Sequence, residues 1–143
     1  MRALAIIAAA GVTLAGAQAA QALPIPASGG GCVVTGKRPL VIPGPNGIDA
    51  VHGTAIFACA GDVDTVSVSV TLIVGNRVAQ TNSYNGPAPF GVRKRVGTST
   101  ECRSSFLPRR WRTLYSVFAR NGRDSDYASG QTKHVWLRCR LAR

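Results

Sequence analysis

The sequence predicts an all-β protein, a single antiparallel β-sandwich of immunoglobulin-like type with about seven strands and two disulfides. Three observations predict it. Apolar residues alternate with polar ones at period two, and no helical periodicity follows the first 22 residues. Asn-Gly, Gly-Asn and Pro-Gly dipeptides break the chain at short intervals. Four cysteines stand behind an apolar N-terminal segment that directs the chain out of the cytosol.

That segment comes first. Met1 and Arg2 give a positive start, Ala3 to Ala19 is uncharged and apolar, and Ala20-Gln21-Ala22 forms an A-x-A cleavage site. Residues 1–22 therefore read as a secretory signal peptide cleaved near Ala22, and the protein as secreted. A retained membrane anchor is the weaker alternative, since the run is rich in Ala and Gly and ends in a cleavage motif. Lipidation at Cys32 is disfavoured by the preceding Gly29-Gly30-Gly31. Residues 23–31 (LPIPASGGG) read as a flexible leader, and 32–143 as one sandwich domain.

Within the domain, strands are expected at Cys32–Ile42, His52–Ala60, Thr65–Val74, Arg77–Asn82, Phe90–Thr98, Trp111–Arg120 and Lys133–Leu141. Thr65–Val74 is the clearest. Val66, Val68, Val70, Leu72 and Val74 share one face, Thr65, Ser67, Ser69 and Thr71 the other, and only Ile73 breaks the pattern. Gly75-Asn76 suits a two-residue hairpin turn into Arg77–Asn82. Further turns are expected at Asn46-Gly47, Asn85-Gly86 and Asn121-Gly122. In Phe90–Thr98, Phe90, Val92 and Val96 alternate inward, which also aims Lys94 inward. A bulge or an edge strand is expected there, with Arg93, Lys94 and Arg95 protecting the edge or meeting a phosphate.

Four cysteines allow three pairings. A hairpin of the first two strands around Pro43–Ile48 centres near position 45.5, the midpoint of Cys32 and Cys59. These two then face each other, leaving Cys102 for Cys139. The competing pattern joins sheets in the immunoglobulin manner, Cys59 to Cys102 and Cys32 to Cys139. Zinc is disfavoured because no Cys-x-x-Cys occurs and the compartment is oxidising. Asp124 and Asp126 stand at i and i+2 as in a calcium loop, but no Glu closes it and a plain loop is expected.

The chain has 17 Lys and Arg against 6 Asp and Glu, and 14 of the 17 are Arg. Loss of Arg2 with the signal leaves a net charge of +10. Such a charge attracts cell-wall polymers, glycans, lipid surfaces and nucleic acid, although solubility alone would also account for it. The sharpest surface feature is the last strand. Val135, Leu137, Cys139 and Leu141 point one way, His134, Trp136, Arg138 and Arg140 the other. Paired with Trp111–Arg120 so that partner numbers sum to about 250, Arg112 faces Arg138, Leu114 faces Trp136 and Ser116 faces His134. The outer face would then carry an anion-binding platform of Arg112, His134, Trp136, Arg138 and Arg140, with Arg109-Arg110 close by. The competing reading packs Trp136 against a neighbouring loop or sheet and leaves the arginines solvated.

Catalysis has little support. No Gly-x-Ser-x-Gly or His-x-x-x-His occurs. A small hydrolase such as a ribonuclease would need two histidines, His52 and His134, or a set such as Glu101, His134 and Arg138, and no spacing singles these out.

A cysteine opens the first strand, and a second closes the returning strand within Gly53-Thr-Ala-Ile-Phe-Ala-Cys59. The Val66–Val74 hairpin follows, then Thr100-Glu-Cys102, the Trp111-Arg-Thr113 strand and a terminal cysteine strand. In this order the chain resembles the small secreted disulfide-containing β-sandwich proteins of actinobacteria and related bacteria, most of them without assigned activity. The resemblance implies an extracytoplasmic all-β domain with two disulfides and supplies no catalytic residues. The reading is a secreted, basic, non-enzymatic binding or surface-associated protein without a cofactor, its partner an anionic extracellular polymer or surface. The alternatives are a secreted effector (a cationic antimicrobial or toxin-like protein, or an inhibitor with a protein target) and the small hydrolase.

Overall fold

A computed structural model describes residues 22–27, 30–60, 63–102 and 107–140. Apart from Ala22, the segment expected to be a signal peptide lies outside the described residues. Nine strands run through the rest: β1 Ala22–Ala27, β2 Gly30–Pro43, β3 Asp49–Ala60, β4 Thr65–Val74, β5 Arg77–Pro87, β6 Lys94–Glu101, β7 Arg109–Asn121, β8 Asp124–Gln131 and β9 Val135–Leu137. They form two antiparallel sheets, one of order β1-β2-β3-β6, the other of order β5-β4-β7-β8 with β9 also on β7. Three strands, β2-β3-β6, facing four, β5-β4-β7-β8, is the immunoglobulin-like arrangement. β1 and β9 are additions to it.

The alternation read in β4 is the inner face of the second sheet. Val66, Val68, Val70 and Leu72 are buried against Val34, Val51, Ala55 and Phe57 of the first sheet and Tyr115 and Val117 of β7. Two glycines let the layers close. A Cβ on Gly36 would lie 2.2 Å from ring atoms of Tyr115, and one on Gly53 would lie 2.8 Å from Leu72. Tyr115 also hydrogen-bonds the backbone of Gly36, while burial, the larger influence, pushes its phenol pKa up. Ile73, the break in the pattern, marks a register shift between Leu72 and Ile73 in the β4–β5 ladder, and its side chain is buried.

Both disulfides are Cys32–Cys59 and Cys102–Cys139. Cys32 and Cys59 are direct partners in the β2–β3 ladder, 4.0 Å apart at Cα. Cys102 follows β6, so its bond to Cys139 ties the chain beyond β9 to the four-stranded sheet. The bridge of Cys59 to Cys102 is thereby excluded. Two disulfides are compatible with an extracellular location.

Several elements differ from the sequence expectation. The segment 23–31 was expected to be a flexible leader, yet β1 within it pairs with β2 from Ala22↔Thr35 to Ala27↔Gly30. β1 is an edge strand, where Pro24 and Pro26 can stand at alternate positions without removing ladder bonds. Asn85-Gly86 is not a turn. It continues β5, with Asn85 opposite Ser67 and accepting a hydrogen bond from its hydroxyl. The other turns hold: Gly47, Gly75 and Gly122 have φ of +72°, +57° and +56°. Asp124 and Asp126 lie in strand β8, not in a loop. Phe90 and Val92 lie outside β6 and are 73% and 60% exposed, not inward. Lys94 meets the expectation: it opens an edge strand in register with buried Phe57, and its ammonium reaches across to Tyr84 Oη at 2.9 Å.

Candidate anion-binding face

The residues expected to form the platform are placed with a shifted register. β7 pairs along most of its length with β8, from Leu114↔Gln131 to Asn121↔Asp124. β9 takes only the first residues, with Arg109↔Leu137, Arg110↔Trp136 and Trp111↔Val135. Partner numbers therefore sum to 246 and not 250, and Trp136 stands opposite Arg110, not Leu114. The cause is β8. The tight turn at Gly122 sends the chain straight back along β7, and only after a jog at Thr132, where Thr132 N donates to Thr113 O at 2.9 Å, does β9 resume that edge.

The facing follows from alternation. Trp111, Thr113, Tyr115, Val117 and Ala119 are buried inward, so Arg110, Arg112, Leu114, Ser116 and Phe118 face outward. Val135 and Leu137 pack on the inner cluster with Trp111, as read, and Trp136 is 70% exposed on the outer face beside Arg110. Packing of Trp136 against a neighbouring loop or sheet is thus set aside.

Arg112 is half-buried and directed. Its Nη1 donates to Gln131 Oε1 at 2.7 Å, while its Nε is buried and has no hydrogen-bond partner among the described residues. His134 is exposed in the jog before β9. Desolvation at the sheet surface, then the positive charges of Arg110 and Arg112, hold its imidazole below the ordinary histidine value. His134 immediately precedes Val135, the partner of Trp111, which stands between Arg110 and Arg112 in β7. Arg138 is exposed, two residues past Trp136. Arg140 has left the face. Its N donates to Asp49 Oδ2 at 2.7 Å and its carbonyl accepts from Asp49 N at 3.4 Å, which places it at the start of β3 in the other sheet. The structure therefore assembles Arg112, His134 and Trp136, adds Arg110, keeps Arg138 adjacent in the chain and removes Arg140.

From this cluster a trough of about 530 Å³ runs along the outer face of the sheet, lined by Ser69, Thr71, Leu114, Ser116, Tyr127 and Ser129 among others. Gln131, the partner of Arg112, also lines it. Tyr127 is 65% exposed opposite Phe118, eight residues along β7 from the Arg110–Trp136 pair. The aromatic groups are thus separated by about 27 Å of strand. Arg110 was expected close by and proves to be the direct partner of Trp136, whereas Tyr127 and the trough are not legible in the sequence. Tyr127 depends on β8, whose segment DSDYASGQ carries almost no apolar alternation.

The hydrolase candidates divide between two places, with Glu101 sharing a recess with Leu137 and Cys139, which flank Arg138. His52 lies on β3 opposite Ser99, Glu101 ends β6 in that same sheet, and His134 is on the other sheet. All four cysteines are held in disulfides. No known family matches the chain, and no curated protein or solved structure matches it.

Proposed function

We propose that the mature protein is a secreted, non-enzymatic binding protein that holds an anionic extracellular polymer on the outer face of its five-stranded sheet. The observation that carries this reading is the convergence of Arg110, Arg112, His134 and Trp136 at one end of the trough. Guanidinium groups bind phosphate and carboxylate, an exposed indole stacks on a sugar or base, and the Ser, Thr and Gln floor suits hydroxylated chains. The distance to Tyr127 favours an extended ligand over a small solute. Sixteen cations against 6 acids in the mature chain leave an excess that internal pairing cannot cancel. The signal-like segment and the resemblance to secreted sandwich proteins support the location.

Retention of the mature protein on cell-wall and nucleic-acid matrices across a salt series tests the reading. Binding should weaken steeply with salt, and Arg110→Gln with Arg112→Gln should reduce both affinity and salt slope. No retention at low salt, or retention indifferent to these variants, overturns it. Tight, salt-insensitive binding to a single protein would establish the inhibitor instead, and turnover lost in His134→Ala the hydrolase.

A further inference from the structure

The connection from β5 to β6 crosses between the sheets and is built in an inverted way. Its small residues face the protein: Ala88 packs on the main core and Pro89 is buried. Its large apolar residues face solvent, Phe90 at 73% and Val92 at 60% exposure. The loop is nevertheless held in place. Cys59 N donates to Pro89 O at 3.4 Å, Gly91 N donates to Cys59 O at 3.3 Å, and Ala88 N donates to Asp64 O at 3.1 Å. Cys59 is itself fixed by its disulfide, and Gly91, at φ +66°, makes the reversal. Phe90 and Val92 are therefore presented by an anchored turn.

Arg93, Lys94 and Arg95 follow at once, all exposed. No acidic residue occurs between Pro87 and Thr100. The nearby Asp64 turns its carboxylate to Gly122 N at 2.7 Å. Lys94 is directed to Tyr84, with its ammonium 4.4 Å from the ring centre. Val33, 43% exposed, adds apolar surface opposite Ala58, the neighbour of Cys59. Two projecting apolar side chains with a collar of cations at their base match a bilayer interface, acyl chains below and anionic headgroups above. A polysaccharide has little use for an exposed phenylalanine and valine.

We infer that the Phe90–Arg95 turn is a docking element for an anionic phospholipid surface, with Phe90 and Val92 entering the interface and Arg93 and Arg95 meeting headgroup phosphates. This surface is separate from the face of β7 and does not depend on the polymer reading.

The test is co-sedimentation of the mature, disulfide-intact protein with vesicles of phosphatidylcholine alone or with an equal part of phosphatidylglycerol. Partitioning should occur on the mixed vesicles and be much weaker on the neutral ones. Phe90→Ser should weaken it about tenfold, and Arg93→Gln with Arg95→Gln about 25-fold, from about fivefold for each cation. Phe90→Trp in a Trp136→Phe background should shift its emission to the blue on the mixed vesicles. All four sites are exposed, so folding is checked simply by an unchanged thermal midpoint. Failure to bind mixed vesicles, equal binding to neutral vesicles, or binding undiminished in Phe90→Ser overturns the inference. If Arg110→Gln with Arg112→Gln abolishes vesicle binding while the turn variants do not, the lipid contact belongs to the sheet face. The inference then fails and the polymer reading stands. If only the turn variants lose vesicle binding and no matrix retains the protein, the reverse holds.

Discussion

Two regions of this protein combine arginine with an exposed aromatic ring, and they do so in opposite geometries. On the outer face of β7, Trp136 lies in a sheet beside Arg110, with hydroxyl and amide groups along the trough. At the β5–β6 turn, Phe90 and Val92 project from a corner, with the cations behind them. A flat polar strip can follow an extended chain, whereas a projecting apolar tip can enter a soft interface. Similar composition thus fits different partners, and the backbone decides which. Each region also hangs on its own disulfide. Cys59 holds the turn through two backbone hydrogen bonds, and Cys139 follows β9 and ties it to Cys102.

The largest expected effect breaks the comparison at those bridges. The disulfides close loops with separations of 27 and 37 residues. Removing either should cost about 2–5 kcal/mol. Beyond that shared loss, local consequences should differ. Cys102→Ser with Cys139→Ser should raise hydrogen exchange in β9 and the jog, while the amide of Gly91 keeps its protection. Cys32→Ser with Cys59→Ser should do the opposite. Exchange measured by mass spectrometry decides it, and equal loosening of both regions under either change would show that the bridges act only globally.

A change in the shared core should move both regions together. Gly36→Ala places a methyl group against the Tyr115 ring, at a distance that demands movement of one sheet. The expected cost is about 1–3 kcal/mol. It would appear as a lower denaturant midpoint with unchanged slope, and neither region should loosen ahead of the other.

What could be read in the chain follows the same division. β4 was legible because one face is Val and Leu and the other Ser and Thr, and the Gly75-Asn76 turn follows from its length. The first disulfide was legible because hairpin symmetry places Cys32 opposite Cys59. β8 was not, since an edge strand with only Ala128 packed on the core needs no apolar pattern. Missing β8 displaced the register of Trp136 by four and hid Tyr127. Phe90 misled for a different reason. Its apolar alternation suggests burial, but the strand begins only at Lys94, and the alternation before it belongs to a turn that exposes its large residues.

Charge sharpens the comparison with a smaller effect. Neutralising Arg110 and Arg112 should reduce the salt slope of matrix retention by roughly one to two. It should leave vesicle partitioning through the turn intact. The turn's own arginines should show the converse, so the two sets of variants ought to separate cleanly in paired assays.

The smallest effect is on pH, and it singles out the face of β7, because the turn contains no histidine. His134 has its pKa lowered by desolvation and by Arg110 and Arg112, so the unfolded chain takes up this proton at higher pH than the folded one. Folding stability contributed at this position is therefore present above the ordinary histidine pKa and declines as pH falls through it toward the lower folded value. Polymer affinity should run the other way. A bound polyanion offsets the field of the two arginines and favours the imidazolium, so retention should strengthen as pH drops from about 7 to about 5. His134→Gln should flatten that rise without changing vesicle partitioning. A pH dependence that survives the substitution would assign it to the polymer's own groups and remove His134 from the face.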